Sequence, residues 1–150
     1  MIAIAQIVNS GSVAIESGSN TQKNTGKGLI VFLGVSKTDS ISEVIKVSEK
    51  LLKLRVFPDD DQKMNLDINT VKGEILLISQ FTLLGSLKGN NRPDFTDAAG
   101  KELAASLYEQ FADKLTEAGV RVTKGYFGEH MKIQVDLNGP VTIILDSQKL

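Results

Sequence analysis

The apolar segment Glu74-Ile75-Leu76-Leu77-Ile78 is followed directly by the polar side chains of Ser79, Gln80 and Thr82. A strand that is buried on both faces forms a near-continuous hydrophobic run, because polar side chains are kept off the faces that pack on the core. Here three hydrogen-bonding side chains arrive together where the run stops. The pattern therefore predicts a buried strand over residues 74–83, whose last residues form a pocket wall rather than a turn.

Six further strands are predicted from alternating or continuous apolar residues between turn signals. The first two are joined by a turn at Asn9-Ser10-Gly11, and the last two are separated by Asn138-Gly139-Pro140. The third strand, which follows Gly26-Lys27-Gly28, is apolar throughout and is expected to be buried. These strands cover residues 2–8, 12–16, 29–35, 120–123, 131–137 and 141–145.

Two helices are expected among these strands. Ser40-Ile41-Ser42-Glu43 matches a capping box, and apolar residues follow one helical face from there to about Leu54. The second helix is indicated by an apolar stripe that stops before Gly119, a residue type common just after helix C-termini. Its stripe consists of Leu103, Leu107, Phe111 and Leu115, widened by Ala104, Tyr108 and Ala112.

Two helices among many strands, without a regular strand–helix alternation, favour an α+β fold. We expect a strongly curved, barrel-like sheet, antiparallel or mixed, with the two main helices packed outside it. No internal repeat, low-complexity tract or linker interrupts the chain. Residues 1–150 are therefore expected to form a single domain.

The composition excludes several classes of function. The chain has no cysteine, so it cannot build a thiolate nucleophile, a disulfide scaffold or a cysteine-ligated metal site. Its 17 basic and 18 acidic residues leave a net charge of −1, which argues against a broad cationic surface for nucleic acid. Any nucleic-acid contact is then local, at an end or in a pocket. We expect no signal peptide and no membrane span, and a cytoplasmic location is compatible with this composition.

The segment Ser79-Gln80-Phe81-Thr82 is the main candidate for chemistry, because the chain has a single histidine, His130, from which a Ser-His-Asp triad could be built. A lone histidine is more often structural. In one interpretation the hydroxyls of the segment bond to neighbouring backbone while its glutamine faces water. In the other, the N–H of Phe81 or Thr82 stabilises the oxyanion of an ester intermediate, and Thr82 attacks, orients a water or holds the substrate. No base is visible beside Thr82, which favours hydrolysis of an already activated ester.

The segment Asn138-Gly139-Pro140 is open to two interpretations. It is either a plain turn between two strands or a device that shapes a pocket. Proline is accepted in a sheet only at a strand start, an edge or a bulge, and a Gly-Pro bond can adopt the cis form. Carbonyl groups aimed into a pocket by such a bond could bind an ammonium group and exclude one enantiomer sterically.

These two segments, in this order and at this separation, resemble those of the D-aminoacyl-tRNA deacylase family, also called D-tyrosyl-tRNA deacylases. The resemblance extends over the whole chain. It is carried by Met1-Ile2-Ala3, Gly28-Leu29-Ile30-Val31-Phe32-Leu33-Gly34-Val35, Leu54-Arg55-Val56-Phe57, Lys63-Met64-Asn65-Leu66, Arg92-Pro93-Asp94-Phe95 and Gly125-Tyr126-Phe127-Gly128. Each short match is plausible by chance, but the complete series in sequence is not.

The resemblance implies a homodimer that hydrolyses the ester between a D-amino acid, or glycine, and the 3′-terminal ribose of tRNA. This activity is chiral proofreading in translation. The pocket residues implied in catalysis are Ser79, Gln80, Phe81 and Thr82. Thr82 matches a residue assigned as nucleophile, but participation of the terminal 2′-hydroxyl fits this chain better because no base accompanies Thr82.

The resemblance also implies how substrate is bound and selected. The Gly139-Pro140 loop is expected to enter the partner's pocket and to exclude L-amino acids mainly with backbone atoms. The implied substrate-binding residues are Gly139, Pro140, Asn138, Met131 and Phe127. The acceptor end of tRNA is expected to contact Lys88, Arg92 and Lys132. No metal or organic cofactor is implied.

Two residues depart from the family pattern. Ile7 stands where many members have an arginine, and Asn138 replaces an acidic residue before Gly-Pro. If that arginine braces the Gly-Pro loop, bracing in this chain must come from elsewhere, and rejection of L-amino acids could be looser.

Two other functions are compatible with this sequence. A noncatalytic nucleic-acid-binding module on the same fold would bind duplexes in a strongly salt-dependent way. A general esterase using Thr82 would cleave simple activated esters without any ribose hydroxyl.

Overall fold

The structure of the protein is a computed structural model that describes residues 1–16, 21–89 and 91–150. These residues confirm the predicted α+β fold, with a curved, barrel-like mixed sheet and two helices outside it. The strands are Ile2–Ile15 (β1), Lys23–Thr25 (β2), Gly28–Gly34 (β3), Phe57–Pro58 (β4), Met64–Leu66 (β5), Glu74–Ser79 (β6), Arg121–Lys124 (β7) and Met131–Asp146 (β8). The helices are Ile41–Leu52 (α1) and Lys101–Glu117 (α2), and a short 3-10 helix, Phe81–Leu84, follows β6. No helix among the described residues is long and apolar enough to cross a membrane.

The main sheet combines antiparallel and parallel pairing. Its strands follow the path β2-β1-β3-β6-β7, and β8 pairs with β1 along most of its length. β1 is antiparallel to β2, β3 and β8, whereas β3, β6 and β7 are parallel neighbours. Parallel neighbours need long connections, and α1 and α2 lie in these connections. Both helices cover the same face of the sheet.

β3 and β6 are buried on both faces, as their apolar runs predicted. Successive side chains of a strand point to opposite faces, and the two faces of these strands contribute to different clusters. The cluster beneath the helices contains Leu29, Val31, Leu33, Ile75 and Leu77. The smaller cluster contains Val8, Val13, Ile30, Leu76 and Ile78.

The predicted capping box of α1 is confirmed. The Ser40 N–H donates to the Glu43 carboxylate at 2.7 Å, and the Ser42 N–H donates to the Ser40 hydroxyl at 3.2 Å. These bonds satisfy donors that the first turn of a helix leaves without an intrahelical partner.

The turn predicted at Asn9-Ser10-Gly11 is wrong, because β1 runs without a break from Ile2 to Ile15. Both halves of β1 pair with β8, and the register shifts on either side of Val8. Asn9 is thus absorbed as an extra residue within the ladder. Long-range pairing overrides the local turn preference of this segment.

The two strands predicted over residues 131–137 and 141–145 are likewise one strand, β8. Its ladder with β1 joins Leu137 to Val8 and Thr142 to Gln6. Residues 138–141 therefore oppose the single residue Ile7 and leave the ladder. We refer to residues 138–141 as the β8 bulge.

The strand predicted over residues 74–83 ends earlier, at Ser79. The Gln80 N–H still donates to the Leu33 carbonyl of β3 at 2.8 Å, but the chain then turns into the 3-10 helix. Phe81 packs edge-to-face on Phe95, with ring centroids 5.1 Å apart. This contact holds the turn against the following loop, so the pocket segment is a strand end followed by a helical turn.

We expect Gly28→Ala to prevent folding or to lower the free energy of unfolding by at least about 3 kcal/mol. A β-carbon at Gly28 would lie 1.9 Å from the Glu74 carbonyl oxygen, in the parallel pairing of β3 with β6. Gly26→Ala is the matched control, since its β-carbon would lie 3.6 Å from the Glu74 carboxylate, an ordinary contact. Urea unfolding of both variants measures the difference. Equal stabilities would show that the β3–β6 contact is not a tight constraint.

Candidate functional site

A pocket lies where the parallel strands β3, β6 and β7 end. The carboxyl ends of parallel strands meet at one edge of a sheet, which is a common place for ligand sites. The pocket has a volume of about 620 Å³. Its lining includes Leu33 in β3, Val35 just after β3, residues 79–82 at and after the end of β6, and residues 127–131, which lead into β8. The remaining side of the pocket is closed by Ala99 and by three residues of α2, Lys101, Ala104 and Tyr108.

Six of the residues proposed from the sequence lie together on this pocket. They are Ser79, Gln80, Phe81, Thr82, Phe127 and Met131. The Ser79 and Gln80 side chains are partly buried, whereas Thr82 is exposed and Phe81 is 57% exposed. The segment after β6 therefore presents its side chains at the pocket rather than inside the core.

Two backbone N–H groups at the start of the 3-10 helix are candidates for binding an anionic oxygen. The Gln80 N–H is occupied by the Leu33 carbonyl. Among residues 1–16, 21–89 and 91–150, the N–H groups of Phe81 and Thr82 make no hydrogen bond. The first N–H groups of a helical turn have no partner within it. Such donors can stabilise the oxyanion of a tetrahedral ester intermediate.

Thr82 has the position but not the partners of a catalytic nucleophile. His130 lines the same pocket, yet no hydrogen bond joins it to the Thr82 hydroxyl. In the described part of the chain, the Thr82 hydroxyl is hydrogen-bonded to no base that could take its proton. A hydroxyl at its ordinary acidity is a weak nucleophile without such a base.

Tyr108 forms a wall of the pocket that sequence reasoning assigned only to the apolar stripe of α2. Its hydroxyl donates to the Leu77 carbonyl at 2.8 Å, and its ring lies 5.7 Å from that of Phe127. Burial raises the pKa of Tyr108 far above its usual value, and the neighbouring Glu109 carboxylate adds to the increase. Tyr108 is therefore neutral, and its hydroxyl proton is hydrogen-bonded to the backbone. We infer that its ring shapes the pocket and that its hydroxyl does not act as a general acid.

The mouth of the pocket carries the charged side chains of Lys101 and Glu129, which the sequence did not single out, and His130, which it considered only as a member of a triad. Lys101 begins α2, and its Cε would lie 3.9 Å from a β-carbon at Gly128, so its chain lies across the loop that precedes β8. Glu129 and His130 follow in that loop. No local motif marks these residues, because α2 and the loop are brought together only by the sheet. Among the described residues, no group of three or more histidine, aspartate or glutamate side chains is arranged to hold a metal ion.

The remaining proposed residues lie away from this pocket. Asn138, Gly139 and Pro140 are exposed in the β8 bulge, where the Gly139–Pro140 peptide bond is cis. A β-carbon at Gly139 would have no neighbour within 4 Å. The other three residues, Lys88, Arg92 and Lys132, are exposed and do not line it either. The structure thus assembles the pocket segment in one place and leaves the Gly-Pro segment outside the pocket of the same chain.

Comparison with known proteins identifies the family. The family model for D-Tyr-tRNA(Tyr) deacylase matches residues 4–146. A protein named D-aminoacyl-tRNA deacylase from Clostridium botulinum (strain Alaska E43 / Type E3) is 46% identical over 149 residues, which is 99% of each chain. A protein of the same name from Petrotoga mobilis (strain DSM 10674 / SJ95) is 42% identical over 151 residues, covering 100% of this chain and 99% of that one.

Solved structures share the fold of this chain. The c-Myc DNA Unwinding Element Binding Protein superposes with a TM-score of 0.88 at 36% identity, over 97% of this chain and 98% of that one. A probable eukaryotic D-amino acid tRNA deacylase superposes with a TM-score of 0.81 over 96% and 97% of the two chains. At 19% identity, this second likeness supports the fold alone. Taken with the family match and the curated relatives, the sequence motifs place the chain in the D-Tyr-tRNA(Tyr) deacylase family.

Proposed function

We propose that this protein hydrolyses the ester bond of D-aminoacyl-tRNA, and of glycyl-tRNA, to release the free amino acid and tRNA. The observation that carries the proposal is the pocket in which residues 79–82 present two backbone N–H groups that make no hydrogen bond to the described residues. Family membership supports the same substrate class. The function is chiral proofreading in translation, which places the protein in the cytoplasm with its substrate.

In the proposed reaction, water attacks the carbonyl carbon of the ester. The carbonyl oxygen then carries the negative charge, and the N–H groups of Phe81 and Thr82 stabilise it. The bond from carbon to the 3′ oxygen breaks, and that oxygen takes up a proton. The neighbouring 2′-hydroxyl of the terminal ribose relays to the 3′ oxygen the proton that the attacking water loses. We assign this relay to the ribose because no base in the described part of the chain is hydrogen-bonded to Thr82. Ser79 and Gln80 hold the substrate beside these donors.

Selection against L-amino acids requires a second element, because the β8 bulge does not line the pocket of its own chain. We assign that role to residues Asn138, Gly139 and Pro140 of a partner protomer in a homodimer. The exposure of the bulge leaves it free to enter another chain's pocket. There its backbone atoms would leave no room for an L side chain, which is selection by exclusion. Phe127 and Met131 complete the walls around the amino acid.

An apolar row on the open face of the sheet supports the homodimer. Ile4 of β1 pairs with both Phe32 of β3 and Ile144 of β8, so the three side chains share one face. Ile144 is 65% exposed, and the other two are partly buried. An apolar row that reaches the surface at an exposed isoleucine is compatible with an interface between protein subunits. We propose that a second copy of the chain covers this row, because the same association could bring the β8 bulge of one protomer to the pocket of the other.

We expect the contact with tRNA to be confined to its acceptor end and to involve few cations, which is compatible with the net charge of −1. We assign Lys88, Arg92 and Lys132 to this contact. Lys101 at the pocket mouth joins them, since its side chain lies beside the residues that precede β8. Contacts of this kind with phosphate give affinity without reading base sequence.

Matched D- and L-tyrosyl-tRNA test the function directly. We expect the purified protein to release D-tyrosine rapidly and to leave the L-ester at its background rate, because only the L side chain meets the partner's backbone. Amino-acid release over time measures both rates. Cleavage of both esters would retain the hydrolase and contradict chiral selection. Cleavage of neither, with salt-dependent binding of a DNA duplex, would favour a noncatalytic binding module.

A D-tyrosyl-tRNA whose terminal adenosine lacks the 2′-hydroxyl tests the mechanism. We expect hydrolysis of this substrate to fall by about a thousandfold, within the range contributed by general acid–base catalysis. Thr82→Val is expected to lower the rate on the normal substrate by less than about tenfold, the effect of losing one substrate contact. A large loss of rate in Thr82→Val, with little loss on the substrate that lacks the 2′-hydroxyl, would identify Thr82 as the nucleophile and support a general esterase.

The oligomeric state tests the placement of the β8 bulge. We expect the wild-type protein to sediment as a dimer and Ile144→Lys to shift it to a monomer that has lost deacylation, because a lysine would put charge into the apolar row. Met64→Lys is the matched control, since Met64 is 63% exposed on β5, which belongs to the separate two-stranded sheet. A monomeric wild-type protein with full selectivity would rule out the contribution from a partner.

A further inference from the structure

The β8 bulge is held at both ends by side chains of β1. Between the pairs Gln6–Thr142 and Val8–Leu137, β8 has the four residues 138–141 and β1 has only Ile7. Ile7 is 5% exposed and packs in the cluster beneath the helices, so its side chain is unavailable to the bulge. Gln6 and Asn9, which lie on either side of Ile7 on β1, make the contacts instead.

Asn9 holds the N-terminal end of the bulge. It is the extra residue of β1 between the pairs Val8–Leu137 and Ser10–Asp136. Its amide nitrogen donates to the Asp136 carboxylate at 3.2 Å, and its amide oxygen accepts from the Asn138 side chain at 3.3 Å. A single amide therefore links the last regular part of β8 to the first residue of the bulge. An amide suits this place because it is donor and acceptor at once.

Gln6 and Thr142 hold the C-terminal end. The Gln6 amide donates to the Thr142 hydroxyl at 3.0 Å, and that hydroxyl donates to the Pro140 carbonyl at 3.2 Å. The Pro140 carbonyl thus has a fixed partner in Thr142, the residue that directly follows the bulge. Bulges next to active sites commonly re-aim the groups that they carry. Here the two ends together determine the direction in which residues 139 and 140 point.

We propose that Asn9 is a positioning residue that fixes the aim of the β8 bulge and thereby sets the preference for D- over L-esters. The selectivity part rests on the deacylase function proposed above. Asn9 acts through Asn138 and does not contact the reacting atoms. Its two hydrogen bonds lie at the protein surface, so they affect the direction of the bulge more than the free energy of unfolding.

Asn9→Asp is the sharpest test, because it replaces the amide group that donates to Asp136 with a carboxylate, which would repel the Asp136 carboxylate. We expect the ratio of D- to L-ester hydrolysis to fall by about tenfold, the factor expected for one hydrogen bond, with a much smaller change in the D-ester rate. The double variant Asn9→Asp with Asp136→Asn restores a donor–acceptor pair and is expected to recover the ratio. Gln134→Glu is the charge control, since it adds the same charge at an exposed position of β8 outside the bulge.

Amide hydrogen exchange in residues 138–142 gives a readout that is independent of activity. Asn9→Asp is expected to accelerate exchange there, whereas the double variant and Gln134→Glu are expected to match the wild-type protein. An unchanged exchange rate and an unchanged D-to-L ratio in Asn9→Asp would overturn the proposal. Faster exchange with an unchanged ratio would also overturn it, because Asn9 would then brace the bulge without affecting selectivity. If the wild-type protein cleaves neither ester, the proposed function fails, the selectivity part fails with it, and the exchange data alone decide the bracing.

Discussion

The parallel pairing of β3 with β6 is the constraint on which the rest of the structure depends. Both strands are buried on both faces, and the Glu74 backbone approaches Gly28 too closely for any side chain at that position. A register slip of one residue would exchange the two faces of β6 and carry apolar side chains into the wrong cluster. Because this register is tightly held, Ser79 and the turn that follows arrive at one place, beside the ends of β3 and β7.

In the function that we propose, the site relies on backbone groups rather than on ionisable side chains. Many of its wall residues are aromatic or aliphatic, and Tyr108 is kept neutral by burial. Its candidate donors are the N–H groups of Phe81 and Thr82, which make no hydrogen bond to the described residues. Donors that are fixed by a helical turn need no reorganisation when charge develops on a substrate, and an apolar surrounding strengthens them. Such a site suits an ester that is already activated, which is consistent with aminoacyl-tRNA as the proposed substrate.

β1 connects the pocket with the β8 bulge, the two parts of the molecule to which we assign a function. Its N-terminal half pairs with β3, which supports the pocket, and with β8, which carries the bulge. The side chain of Ile7 enters the core, while Gln6 and Asn9 turn to β8 and hold the two ends of the bulge. One strand can serve both purposes because alternating side chains point to opposite faces, and the extra residue Asn9 adjusts that alternation locally.

The sequence by itself determined the fold class, the buried strands, the capped first helix and the segment after β6, because apolar periodicity and capping depend on near neighbours along the chain. Tertiary structure alone decided the continuity of β1 and β8, where pairing over more than a hundred residues overrode the turn signal at Asn9-Ser10-Gly11. It also decided that Tyr108 and Lys101 border the pocket, since residues of α2 reach it only through the packing of the helix on the sheet. Local patterns carry information on which residues a segment must bury, whereas the identity of its partners depends on how distant strands and helices close around one core.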